Sequence, residues 1–183
     1  MSTAVLPQTS TWTIDAAHSA AEFKIKHMMI SSVKGRFAGI QGSLAMDESD
    51  VTNSRVEASL DAASITTKEP QRDAHLRSAD FFDVEKFPTL SFNSTRVVLK
   101  GDGELEVTGD LTIHGVTCSV VFAVEGPTSP IKDPYGNIRV GLAATTKINR
   151  KDFGLTWNAA LETGGILVGD EVTISLDVQF VKT

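Results

Sequence analysis

The residues best equipped for chemistry lie in two irregular stretches of the chain. "RDAHLRSADFFD", Arg72 to Asp83, gathers Arg72, Asp73, His75 and Arg77 beside the adjacent Phe81 and Phe82. "INRKDFGLTWNA" sets Arg150 and Lys151 ahead of Phe153 and Trp157. An arginine at the rim of a cavity can hold a phosphate or carboxylate bidentately. An indole can line an apolar path while its N–H finds a polar partner. A histidine beside a carboxylate is the pair that acid–base catalysis uses, and Asp73, His75 and His27 are the candidates for it. Metal chemistry is not indicated. The four histidines, His18, His27, His75 and His114, are all too far apart in sequence for the close pairs that a site on one strand or helix favours. No nucleophile elbow or phosphate loop is present.

The elements that must position these groups are strands. In "EVTISLDVQF", Val172, Ile174, Leu176, Val178 and Phe180 share one face, and Thr173, Ser175, Asp177 and Gln179 the other. "GELEVTGDLTIHG", "SRVEASL" and "AAEFKIKHM" repeat the alternation, the last placing Ala21, Phe23, Ile25 and His27 together. Turn signals such as "KGDG", "IHGV" and "GPTSPIKDPYGN" separate the strands, as an antiparallel sheet requires. About eight such strands form either a sandwich or a barrel. Gly35, Gly39, Gly42 and Gly109, inside long strands, favour the barrel because glycine there marks bulges and sharp bends. Cys118, the one cysteine, shares parity with Val116, Val120, Phe122 and Val124 and is expected to be structural.

The alternation stops between about Pro70 and Phe82. Pro70 suits a first helical turn, and Leu76, Ala79 and Phe82 recur at helical spacing, with His75 beside that stripe. A helix is therefore expected over this segment, capping or lining one mouth of the barrel.

The 183 residues carry a formal charge of -6, which argues against a nucleic-acid partner. No apolar run is long enough to span a bilayer. The N-terminus shows no basic region or secretory apolar stretch, so the chain as it stands is expected in the cytoplasm; a removed leader would place it in the periplasm. Residues 1–10 are expected to be a tail and 11–183 a single barrel domain.

From Trp12 to Phe180 the chain resembles the YceI-like family of polyisoprenoid-binding proteins. The resemblance rests on "WTIDAAHSAAEFKIKHM", "VKGRFAGIQGSL", "SITT", "RDAHLRSADFFDVEKFPTLSFNST", "VTGDLTIHGVT" and "INRKDFGLTW", in that order. It implies an antiparallel eight-stranded lipocalin-like barrel whose elongated apolar cavity holds an isoprenoid chain. It also implies a link to envelope or stress physiology, commonly a periplasmic location, and allows a homodimer. It brings no catalytic set and no cofactor. The lining expected for such a cavity is Phe23, Ile25, His27, Ile40, Phe81, Phe82, Phe87, Phe92, Phe122, Leu142, Phe153 and Trp157, with Leu44, Leu111 and Leu176 of the same parity. The expected headgroup rim is Arg72, Asp73, His75, Arg77 and Arg150. Two alternatives stand beside lipid binding. One is a small-barrel isomerase or hydratase using the His/Asp residues on a hydrophobic substrate; the other is a barrel whose core is simply filled.

Overall fold

Every strand pairing in the computed structural model, which describes residues 8–183, is antiparallel. The strands are β1 (Thr9–Ile14), β2 (Ala20–His27), β3 (Ser31–Phe37), β4 (Gln41–Asp47), β5 (Arg55–Asp61), β6 (Thr89–Gly101), β7 (Glu104–Ile113), β8 (Val116–Glu125), β9 (Ile131–Lys132), β10 (Ile138–Asn149) and β11 (Val168–Lys182), with one α-helix, α1 (Pro70–Arg77), between β5 and β6. Most of the expected N-terminal tail lies outside the described residues, but Thr9 and Ser10 already belong to β1.

The barrel closes through the order β11–β1–β4–β5–β6–β7–β8–β10, with β10 pairing back onto β11. That circuit has eight strands, although the sheet contains eleven segments, because two strands are broken and the two-residue β9 adds to β10. The C-terminal half of β11 pairs with β1 and its N-terminal half with β2. Thus β1 and β2 are halves of one strand, interrupted where Asp15 caps a short 3-10 turn. β3 and β4 are likewise interrupted around Gly39, whose φ of 66° turns the chain.

Alternation puts one face of each strand into the lumen. In β7, Leu105, Val107, Leu111 and Ile113 are all buried. In β1, Trp12 and Ile14 point inward between exposed threonines. Trp12, Val140 and Phe180 are nearly inaccessible and pack the end of the barrel where β1 begins and β11 finishes. The Trp12 indole N–H donates to Ser10 Oγ at 2.8 Å, which satisfies its only polar group.

The helical insert occupies the other end. β5 has only seven residues, and it pairs with β4 rather than β3. The β3 side of the gap meets residues 62–88 instead, through an Arg36–Thr66 bridge. Glu69 caps α1 by accepting from the backbone N–H groups of Gln71 and Arg72, and Pro70 stands in the first turn. The helix is shorter than the spacing of Leu76, Ala79 and Phe82 suggests. It ends at Arg77 because Ser78 turns extended, and both its N–H and its hydroxyl bond the His75 carbonyl. Phe82 therefore reaches the barrel from a turn, and Ala79 is exposed. Among the described residues, no helix is long and apolar enough to cross a membrane.

Candidate functional site

The inward faces do not fill the lumen. They enclose a cavity of about 610 Å³ that runs from Met46, Val51 and Pro127 at the Trp12 end to α1, Trp157 and Leu167 at the other. That volume lies within the roughly 300–1,000 Å³ usual for small-molecule sites. Phe23, Ile25, Ile40, Phe92, Phe122 and Leu142 line it, as strand parity led one to expect, and so do Leu44, Leu111 and Leu176. Two glycines shape its walls. A Cβ on Gly35 would fall 2.3 Å from the Phe23 ring, and one on Gly109 2.4 Å from the Phe92 ring. The far end of each phenylalanine ring occupies the space that a side chain at the glycine would need. Both positions serve as hollows beneath aromatic rings, and Gly109 also stands opposite the irregularity between Ser94 and Arg96 of β6, the bulge expected of a strand glycine.

At the α1 end the lining becomes mixed. Gln71, Arg72, His75 and Leu76 come from the helix, Phe81 and Phe82 from the turns after it, Trp157 and Leu167 from the β10–β11 connection, and His27 from the end of β2. Trp157, His75 and Phe81 form a triangle of rings, with His75–Trp157 centroids at 4.7 Å, His75–Phe81 at 5.1 Å and Phe81–Trp157 at 5.3 Å. His75 is held in place by Nε2 against the Asp80 carboxylate at 2.8 Å. Arg72 is exposed on the rim. Its Nε donates to Thr67 Oγ1 at 2.7 Å and Nη2 to the Thr67 carbonyl at 3.2 Å, while Nη1 remains unengaged among the described residues. No carboxylate pairs with this guanidinium among the described residues.

Four residues expected at the site, Asp73, Arg77, Phe87 and Phe153, are placed elsewhere, and Arg150 borders the cavity in another role. Asp73 is buried behind the helix, where it accepts from the Thr67 N–H (2.8 Å), the Thr67 hydroxyl (2.6 Å) and the Thr66 hydroxyl (3.2 Å). Burial alone would raise its pKa, but those hydrogen bonds outweigh it and hold the carboxyl below the usual range. Arg77 turns away from the rim to donate to the Ala63 and Ile65 carbonyls at 2.8 and 2.9 Å. The Arg150 side chain borders the cavity yet is only 3% exposed, and its donors go to the carbonyls of Gly169, Leu155 and Trp157. It ties the β10–β11 connection to β11 and presents no free face to a headgroup. Phe87 packs on Gly115 and His114 beside the β7–β8 turn, not on the cavity. Phe153 is fully buried behind the wall, in the core that includes Leu155 and Phe122.

Several lining residues carried no individual nomination. Phe37 has the inward parity of Val33 and Gly35, so alternation does find it. Gln71 and Leu167 sit in segments without strand periodicity, where parity says nothing. Cys118, as expected, packs against the apolar core. Among the described residues, no cluster of three or more His, Cys, Asp or Glu side chains is arranged to hold a metal ion.

Comparison with known proteins places this architecture. The family model for the YceI-like domain matches residues 12–180. A UPF0312 protein of Staphylococcus aureus is 39% identical over 170 residues, covering 92% of this chain and 96% of that one. A UPF0312 protein of Vibrio cholerae is 42% identical over 139 residues, covering 76% of this chain and 73% of that one. Among solved structures, the YCEI protein of Campylobacter jejuni superposes with a TM-score of 0.72 at 28% identity, over 87% of this chain and 91% of that one. A polyisoprenoid binding domain from Saccharophagus degradans has the same fold, with a TM-score of 0.68 at 15% identity, over 94% of this chain and 98% of that one. The match of the family model over nearly the whole length, the sequence identity to these relatives and the shared barrel lead to one conclusion: the chain belongs to the YceI-like family.

Proposed function

We propose that the protein binds one long isoprenoid, or a similar amphiphilic lipid, as a carrier, store or sensor. The tail occupies the lumen and the head lies at the α1 rim. The observation that carries this reading is the continuous apolar cavity, walled by aromatic and branched side chains and floored at the Trp12 end. The polyisoprenoid binding domain of Saccharophagus degradans, which shares this barrel, supports it. Each buried methylene is worth ~0.8 kcal/mol. A long tail therefore approaches the practical ceiling of ~20 kcal/mol early, and the head sets orientation and selectivity more than affinity. Arg77 and Arg150 are committed to backbone carbonyls, so of the three arginines expected at the rim Arg72 is the one placed to meet an anionic head. Catalysis is the weaker reading, because Asp73, one of the expected acid–base groups, does not line the cavity.

Trp157 lines the cavity and Trp12 does not, so indole fluorescence reports on the lumen. Titration with isoprenyl alcohols and isoprenyl pyrophosphates of several lengths is expected to give a saturable change that Trp157→Phe abolishes. Arg72→Gln is expected to weaken the pyrophosphates more than the alcohols. No saturable change at any length would overturn the proposal, and equal weakening of both lipid types would remove Arg72 from it.

A further inference from the structure

The hairpin joining β2 to β3 exposes three consecutive apolar residues. Met28 is 39% exposed, Met29 62% and Ile30 80%. Met28 and Met29 have φ values of 51° and 60°, the left-handed region where asparagine or glycine is the usual choice. The turn thus keeps two large side chains in water and accepts an unfavourable backbone to do so. Its position is specific. His27, one residue before the tip, lines the cavity mouth, and the Met28 N–H donates to the carbonyl of Leu167, another mouth residue, at 2.8 Å.

The outer face of the same hairpin is basic. Lys24 lies directly opposite Lys34, and Lys26 follows on the same face. Like charges directly across a strand pair repel. The neighbouring Lys147 and Lys151 are paired with Glu171 and Asp170, both at 3.1 Å. Lys24, Lys26 and Lys34 have no such partner among the described residues, in a chain whose net charge is -6. Lysines on an edge strand deter unwanted strand pairing, but that role does not account for the apolar tip beside them.

We propose that this hairpin docks the barrel mouth on an anionic lipid membrane. Met28, Met29 and Ile30 enter the interface, and Lys24, Lys26 and Lys34 meet the headgroups. Shallow apolar insertion combined with lysine attraction is how peripheral proteins hold a bilayer reversibly. The docked mouth faces the acyl region, so a lipid can pass between bilayer and lumen without crossing water. The proposal goes beyond the identity of the ligand and stands without it.

The test is co-sedimentation of the full chain with vesicles containing no isoprenoid, either phosphatidylcholine alone or phosphatidylcholine with phosphatidylglycerol. Binding is expected to the anionic vesicles, much weaker to the neutral ones, and to fall as salt is added. Each lysine near the surface contributes about fivefold, so Lys24→Gln and Lys34→Gln together, neither of which lines the cavity, lower affinity roughly twentyfold. Met29→Ser with Ile30→Ser lowers it at least about tenfold, from the apolar burial lost. Both variants are expected to keep the wild-type lumen titration, which separates docking from ligand binding. Three results would overturn the proposal: no vesicle binding by the wild type, unchanged binding by both variants, or a dimer in sedimentation that the Met29/Ile30 variant dissociates while vesicles are ignored.

Discussion

Ala58 offers a test of whether the lumen is open, because the sign of one substitution depends on it. Ala58 lies on β5 facing the cavity, between Gly42 of β4 and Phe92 of β6. In a filled core, Ala58→Phe is overpacking and costs ~1–3 kcal/mol. In an open cavity beside a glycine, the ring moves from water into existing apolar space, a gain of ~1.5–3 kcal/mol. For a chain of this size, a gain of about 2 kcal/mol raises Tm by roughly 4–8 °C. With a urea m-value of ~2 kcal/mol/M, it raises the midpoint by about 1 M. Phenylalanine also suits a strand better than alanine, an effect of up to ~1 kcal/mol. Ala123→Phe on the exposed face of β8 measures that contribution separately. The assay is urea unfolding of delipidated protein followed by circular dichroism, with lipid titration alongside. A midpoint above that of both the wild type and the Ala123 control, with reduced lipid capacity, is the expected result. A midpoint lowered by about 1 M, with lipid uptake unchanged, would refute the open lumen.

Arg77→Met removes two charge-assisted hydrogen bonds to the Ala63 and Ile65 carbonyls, each worth ~1.5–3 kcal/mol when buried. Allowing for partial exposure, it is expected to cost about 2–4 kcal/mol in urea unfolding with headgroup preference unchanged, whereas Arg72→Met is expected to alter the preference with little loss of stability. Trp157→Ala opens the ring triangle at the mouth and is expected to speed lipid release in stopped-flow displacement; an unchanged release rate would show that the triangle does not gate. The Arg139 guanidinium, with a smaller contribution from His18, holds the Asp15 carboxyl at about 2, and Arg139 also holds Asp133 well below the usual range. Because both pKa values are depressed in the folded state, their stabilisation is present above about pH 4 and is lost as the pH falls toward 2. Tm measured against pH is expected to fall over that window and to fall less in Arg139→Gln; identical acid slopes would contradict the assignment.

Strand parity made the cavity wall legible because a closed barrel divides each strand into one inward and one outward set. Phe23, Phe92, Phe122 and Leu142 needed only that rule. It had nothing to say about Phe87 and Phe153, which lie in connections where side-chain direction follows the local fold. The charged residues divided in the same way. Asp73, Arg77 and Arg150 look like a ligand rim in sequence, but each satisfies buried backbone or hydroxyl groups of the insert and the β10–β11 connection. Which carbonyls a loop leaves unpaired is a tertiary fact. Gly109 marks a bulge, as a strand glycine suggests, but the room that Gly35 and Gly109 leave for Phe23 and Phe92 appears only in the folded barrel. The break between β1 and β2 was visible as two alternating segments, though not as one strand continuing past Asp15.

The central claim is that the lumen holds a lipid tail. Organic extraction of protein purified without any unfolding step, followed by mass spectrometry of the extract, tests it most directly. The account predicts a long-chain isoprenoid or similar amphiphile near one molecule per barrel, or its uptake in that ratio when the emptied protein is offered isoprenoids of increasing length. A blank extract, repeated after that offer, would contradict it.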